Sequence, residues 1–162
     1  SSSRGALVIA GAPRAIHGSR MEAPLIAARA HASFTVTTRW SDEDRQGVLN
    51  NAACLTLCEE ARHRWCVERG LLLQNDFPFV LAQANTRWLA PGAGGEEVVV
   101  ELATLEVGTT SFTQSYRIVH KASGVVWAEC EARLVAWDAA TRGKTALPAR
   151  LRAALEADLG RG

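Results

Sequence analysis

Excess charge of either sign is the first thing missing from this chain: across 162 residues, 18 Lys and Arg stand against 17 Asp and Glu, a formal net charge of +1. Nucleic-acid binding rests on a basic surplus, so no nucleic-acid partner is expected. Long apolar runs are also missing. Stretches such as Ala6 to Ala12 fall far short of the ~20 residues that span a bilayer. The four cysteines, Cys54, Cys58, Cys66 and Cys130, contain no CxxC pair, which leaves neither a zinc-ligand spacing nor the framework of a small secreted domain. Cys54 and Cys58 are four apart, stack on one helical face and read as reduced, buried small hydrophobes. No metal or cofactor is expected. Internal repeats and low-complexity linkers are absent as well. A composition of 48% hydrophobic and 22% charged residues is that of an ordinary globular domain. A chain of this length buries roughly two thirds of its unfolded surface without a staple. A soluble, cytoplasmic single domain is the expectation.

The first thirty residues read differently from the rest. Residues 1–30 are rich in Ala, Ser, Gly and Arg, with Arg4, Arg14, Arg20 and Arg29 against one acid, Glu22. Arginine with few acids also describes an organelle transit peptide. Alternatively, Met21 is the initiator and the residues before it were added upstream. Residues 1–30 are therefore set apart as a leader, and residues 31–162 as the working domain.

From Ser33 the pattern alternates. Phe34, Val36, Thr38 and Trp40 fall on one face of a predicted strand, with Thr35, Thr37 and Arg39 on the other. A polar loop, Ser41 to Leu49, follows and ends at Asn50 and Asn51. Asn is a favoured helix cap, and Gly70 suits a helix stop. Between them Cys54, Leu57, Cys58, Ala61 and Trp65 recur at helical spacing, while Glu59, Glu60, Arg62, Arg64 and Glu68 form the polar remainder. Four extended segments follow, near Phe79 to Leu89, Glu96 to Val107, Ser111 to His120 and Val125 to Trp137. Pro91-Gly92 with Gly94-Gly95, Gly108 and Ser123-Gly124 separate them. Pro148 opens a last helix, Ala149 to Leu159. One apolar-striped helix and one antiparallel sheet bury each other as a two-layer α+β domain. A single helix cannot cover so wide a sheet, which favours dimerisation through an edge strand.

The loop Ser41-Asp42-Glu43-Asp44-Arg45-Gln46-Gly47 sets three carboxylates just before a helix. Acids at a helix start complement its dipole. They also stand beside unpaired first-turn N–H donors, and Gly47 permits close backbone approach. A carboxylate beside such donors suits acyl transfer: the donors hold a developing oxyanion, and the carboxylate attacks or activates water.

Arg39-Trp40-Ser41-Asp42-Glu43-Asp44-Arg45-Gln46-Gly47-Val48-Leu49-Asn50-Asn51-Ala52, with Glu59-Glu60-Ala61-Arg62 behind it, closely resembles the 4-hydroxybenzoyl-CoA thioesterase family of hotdog-fold acyl-CoA thioesterases. Trp88-Leu89-Ala90-Pro91, Val107-Gly108-Thr109-Thr110-Ser111-Phe112 and Leu147-Pro148-Ala149-Arg150-Leu151-Arg152 extend the match, so that it runs from about Ser33 to Leu159. The resemblance implies a hotdog fold, in which a bent antiparallel sheet of about five strands wraps a long helix. It also implies a homodimer or homotetramer with sites at the subunit interface. The catalytic aspartate falls on Asp44 as nucleophile or general base, the oxyanion-holding amide falls on Asn51, and Gly47 shapes the loop. Where many relatives carry His after the glycine this chain has Val48, and where many place Tyr it has Cys54. Val48, Asn50 and Cys54 are therefore expected to line the acyl pocket. Thr109, Thr110 and Ser111 occupy the turn with which some relatives grip CoA phosphates. That turn carries no basic residue here, so Arg117, Lys121, Arg142 and Lys144, or backbone amides, are the candidate phosphate partners.

Other readings stay open at this point. Glu59 or Glu60 on the helix is the acid of another hotdog thioesterase lineage, although a solvated or ion-paired face explains both. A hydratase needs a His paired with an acid near the helix, and His63 and His120 lack that context; His17 and His31 precede the recognisable domain. A chain that binds acyl thioesters without cleaving them, and a thioesterase acting on carrier-protein thioesters, are the functional alternatives. The tryptophans are expected to pack core, pocket or interface.

Overall fold

The computed structural model describes residues 29–160. The expected leader therefore lies, but for its last two residues, outside the described residues. Strand β1 (Ala32–Thr37), helix α1 (Asn51–Arg69), strands β2 (Phe79–Trp88), β3 (Glu97–Val107), β4 (Ser111–His120), β5 (Val126–Asp138) and β6 (Gly143–Lys144), and helix α2 (Ala149–Leu159) follow one another along the chain. All pairings are antiparallel, in the order β1-β3-β4-β5-β2, with β6 added to β5. β1 and β2 are thus the two ends of the long sheet.

The sheet has six strands where about five were expected. The sixth arises because β5 runs on to Asp138, whose Oδ1 accepts the Ala140 N–H at 2.9 Å. That side-chain turn folds the chain back, pairing Trp137 with Lys144.

α1 is capped as its sequence predicts. The Asn50 side chain accepts the Ala52 N–H, and Gly70 closes the helix in the left-handed conformation. Its buried face holds Cys54, Leu57, Cys58, Ala61 and Trp65, against Val98, Val100, Leu102, Tyr116, Ile118 and Leu134 of the sheet. Two residues depart from the expected stripe: Cys66 and Arg62 are buried as well. Arg62 was placed on the solvated face, but it projects toward β4, where Tyr116 receives its guanidinium.

α2 adds a second cover that the one-helix picture left out. Leu151 and Leu155 join the same core, and Asp158, 1% exposed, accepts the Trp65 indole N–H at 2.9 Å and pairs with Arg69 at 3.4 Å.

Trp40 corrects the reading of β1. Phe34 and Thr38 are buried as the alternation requires, but Trp40 is 84% exposed. The strand ends at Thr37, because the Thr38 hydroxyl turns to the Ala93 carbonyl at 2.8 Å and Arg39 clasps Asp42 at 2.8 Å across a 3-10 turn. Trp40 rides that turn out into solvent.

Among the described residues no helix is long and apolar enough to cross a membrane.

Candidate active site

Three neighbouring carboxylates enter the loop before α1, and each meets a different fate. Asp42 is taken by Arg39, whose guanidinium and backbone N–H both bond it, and these bonds hold its carboxyl below the usual range. Glu43 reaches across to accept the Gly94 N–H at 2.8 Å, tying the loop to the β2–β3 connection. Asp44 alone stays at the exposed tip. Its Oδ1 accepts the Gln46 N–H at 2.7 Å and the Val48 N–H at 3.5 Å. Among the described residues its Oδ2 carries no hydrogen bond. Gly47 makes this possible: its φ is +72°, where a side chain is strained, and its N–H closes onto the Asp44 carbonyl at 3.1 Å.

Helix α1 starts immediately afterwards. Asn50 occupies the Ala52 N–H with its side chain and the Ala53 and Cys54 N–H groups with its carbonyl. The Asn51 N–H is the first-turn donor left over, and it sits at the positive end of a 19-residue helix. Beside it opens an apolar cleft of about 280 Å³, whose lining includes Val48, Asn51, Cys54, Trp88, Gly92 and Trp127. Gly92 is required by packing, since a Cβ there would come within 2.7 Å of Trp127 and 2.9 Å of Leu49. The Leu49 N–H bonds the Gly92 carbonyl at 2.9 Å, which joins cleft and loop. His120 stacks on Trp127 at 5.1 Å between ring centres, with Nδ1 at 2.7 Å from Ser123 and Nε2 at 3.2 Å from Glu96.

The structure thus gathers Val48, Asn51 and Cys54 on one cleft, with Asn50 as the helix cap, Gly47 shaping the loop and Asp44 on its tip. Burial pushes the Cys54 thiol up. Thr109, Thr110 and Ser111 are not gathered there. Their turn opens β4, whereas the cleft lies where β5 begins, beyond Ile118 opposite Ala128. Most of β4 separates them, roughly 25 Å at about 3.3 Å per residue. The Thr109 carbonyl accepts from Leu147 and Arg152, and the Ser111 hydroxyl from Arg133. Of the candidate phosphate partners, Arg117 is engaged with Glu101 at 2.9 Å and Lys121 with Glu97 at 3.1 Å. Arg142 and Lys144 sit at the β5–β6 turn. Glu60 bonds Arg64 at 2.8 Å, the ion-paired helix face expected for it, and Glu59 faces Arg62 at 3.8 Å.

A second group of polar side chains escaped the sequence reading. Deeper along α1, the Arg62 Nη1 donates to the Tyr116 hydroxyl at 3.0 Å, and that hydroxyl donates to Gln114 Oε1 at 2.8 Å. All three side chains are buried, and burial pushes the Tyr116 phenol up. Next to them the Cys130 thiol is held below its ordinary value, first by a hydrogen bond from Cys58, while Cys58 is pushed up as that donor. The signal for Arg62 was its spacing: eight residues after Cys54 and four after Cys58, it continues the buried stripe.

Residues 38–155 match the Thioesterase-like superfamily, and the chain belongs to it. A 1,4-dihydroxy-2-naphthoyl-CoA hydrolase of Rippkaea orientalis is 30% identical over 123 residues, covering 70% of this chain and 87% of the relative. Its counterpart in Nostoc punctiforme is 29% identical, covering 72% and 82%. Among solved structures, a 1,4-dihydroxy-2-naphthoyl-CoA thioesterase from Synechocystis superposes with a TM-score of 0.70 at 26% identity, over 79% of this chain and 96% of that one. A Thermus thermophilus thioesterase complexed with coenzyme A and Zn gives 0.69 at 27%, over 80% and 95%. The architecture is accordingly the hotdog fold, with α1 packed against the sheet.

Proposed function

We propose that the chain is a thioester hydrolase of the 4-hydroxybenzoyl-CoA thioesterase type, cleaving an acyl-CoA to a carboxylic acid and free CoA. The observation that carries this reading is the division of labour in the loop: Asp42 and Glu43 are spent on structure, while Asp44 keeps an oxygen free on the loop whose Val48 lines the apolar cleft, and Asn51, lining the same cleft, keeps an unused helix N–H. As general base, Asp44 takes a proton from water as its oxygen attacks the thioester carbonyl; as nucleophile, it attacks directly and the resulting anhydride is hydrolysed. In both cases the Asn51 N–H receives the charge that develops on the carbonyl oxygen. Collapse expels the CoA sulfur, which takes back the proton that Asp44 removed from water in the general-base route and a proton from solvent water in the nucleophilic route. No cofactor is needed for these steps.

The named relatives support CoA as the carrier and an aromatic acyl group as the substrate class. The working unit is a homodimer, or a homotetramer made of two such dimers. β2 supports this: it ends the sheet with an open edge and exposes Val80, Leu81 and Trp88. The distance of Thr109, Thr110 and Ser111 from their own chain's cleft supports it too, since a second copy is what brings that turn to the site.

Thiol release from a panel of aryl- and alkyl-CoA esters, and from the matching carrier-protein thioesters, tests the reading. Asp44→Asn is expected to abolish turnover while the folded state persists. Full activity in that variant overturns the assignment, and tight binding without thiol release in the unaltered chain would mark a binding protein instead.

A further inference from the structure

Building on the thioesterase reading, we propose that Arg62, backed by Tyr116 and Gln114, selects acyl groups that carry a hydrogen-bond-accepting oxygen at the end remote from the thioester. The argument begins with the direction of the buried hydrogen bonds. An arginine only donates, so the Tyr116 hydroxyl, 3.0 Å from Arg62 Nη1, accepts there and must give its own proton to Gln114 Oε1 at 2.8 Å. Gln114 then presents its Nε2 donor. Among the described residues both Gln114 Nε2 and Arg62 Nε are buried without a hydrogen-bond partner. The open valences of Arg62 and Gln114 are both donors, and the unpartnered oxygen next to them in register, the Thr104 hydroxyl opposite Gln114 on β3, makes no bond to either.

Charge points the same way. Arg62 is 4% exposed, yet the acid nearest to it, Glu59, stands 3.8 Å off with a side chain 64% exposed. The rings of Phe77 and Tyr116, each 5.8 Å from its guanidinium carbon, compensate part of the cost of burying the charge. A buried cation so loosely paired is costly unless a further acceptor reaches it.

The place fits as well. Arg62 lines a cleft of about 130 Å³ together with Cys58, Leu81, Ala84 and Cys130, which lies between α1 and the open edge strand β2. The apolar cleft at Asn51 and Cys54 lies between the same two elements, nearer the start of the helix. Cys54, Cys58 and Arg62 stack on one helical face. From Asn51 to Arg62 the helix rises about 16 Å, and the arginine side chain leans back toward the helix start. An acyl group whose carbonyl meets the Asn51 N–H therefore reaches Arg62 with a group about two fused rings long.

The test compares 6-hydroxy-2-naphthoyl-CoA with 2-naphthoyl-CoA, two esters that differ by one distal oxygen. The unaltered enzyme should favour the hydroxylated ester in kcat/KM by about tenfold or more, as a hydrogen bond to a charged group warrants. Arg62→Met and, independently, Gln114→Met should bring that ratio toward one; Gln114→Met, which leaves the Arg62–Tyr116 bond in place, keeps the test available if Arg62→Met does not fold. A ratio near one in the unaltered enzyme, or a ratio untouched by both variants, overturns the inference. The Kd values of the corresponding naphthacyl thioethers of CoA, which cannot be hydrolysed, are read alongside. If no thiol is released from either ester, the hydrolase reading falls, while the Kd ratio still supports or overturns the role of Arg62.

Discussion

The two ends of the face that α1 turns toward β2 are built on opposite terms. At the helix start, the Asp44 loop is exposed and held by bonds between residues two to four apart, such as Gln46 to Asp44. Eleven positions further, Arg62 is buried and held by a residue 54 positions away. The first end presents a free carboxylate oxygen and a free amide, groups that chemistry consumes and renews. The second presents donors with no acceptor, groups that only recognition can use. A folded chain places reacting groups where local backbone geometry fixes them and water can reach. It places selecting groups where water is excluded and each hydrogen bond counts for more.

Removing the reacting group should break the comparison most severely. Asp44→Asn keeps the Asx turn, because an amide oxygen can still accept from Gln46, but it removes the base or nucleophile. A loss of about 10²-fold or more in kcat is expected, with Tm unchanged within experimental error. A comparable loss of Tm would mean that the loop is a structural element first and a catalytic one second. Next in size is Gly92→Ala, which sharpens the link between loop and cleft. The added Cβ would meet Trp127 at 2.7 Å and Leu49 at 2.9 Å, and overpacking of this kind costs about 1–3 kcal/mol. Urea unfolding should show that loss, and kcat/KM should fall with it, because Trp127 and Leu49 both line the cleft.

How much of this was legible beforehand follows the same division. The Asp44 loop, the Asn50 cap and the Gly70 stop are local devices, written within a few residues of where they act, and so α1 and its entrance were readable. Strands β2 to β5 were readable to within a residue because period-two alternation is local too, whereas β6 was not read. Trp40 misled because alternation says nothing of where a strand stops; the Thr38 hydroxyl and the Arg39–Asp42 pair decided that. Arg62 misled because its charge outweighed its spacing, and the Tyr116 that makes its burial tolerable sits on another element. The separation of Thr109, Thr110 and Ser111 from the cleft was hidden for the same reason: it follows from sheet order, which pairs segments far apart in the chain.

A smaller effect probes the buried half of the molecule away from either end of that face. Trp65→Phe keeps most of the ring's volume but removes the indole N–H that Asp158 accepts at 2.9 Å. Asp158, 1% exposed, is then left with Arg69 at 3.4 Å. Loss of one bond to a buried carboxylate costs about 1–3 kcal/mol, to be read from urea midpoints, and kcat should be unchanged because neither Trp65 nor Asp158 lines the cleft. A fall in kcat would show that α2 docking is coupled to the site.

The smallest expected effect lies in the exposed loop and is a pH dependence. Arg39 holds the Asp42 carboxyl below its ordinary 3.8, mainly through side-chain and backbone hydrogen bonds. A carboxyl with a depressed folded-state pKa binds protons more weakly folded than unfolded, so it stabilises the fold at pH values above the ordinary value. That stabilisation is lost as pH falls through the folded value. Asp42→Asn should therefore lower Tm slightly at pH 7, and the difference from the unaltered chain should shrink toward zero as the pH falls past the ordinary carboxyl value and through the lower folded one. The effect is small because the Arg39 side chain is 71% exposed and its pairing is screened by water and salt. The consequence for catalysis is more informative than the Tm. The Asp42 carbonyl accepts the Asn50 N–H at 2.7 Å, so the clasp that ends at Asp42 also positions the helix cap. A fall in kcat with KM unchanged would show that Asp42 serves the placement of the helix start, and through it the amide proposed to receive the transition-state charge, while the reacting carboxylate two residues away is itself unaltered.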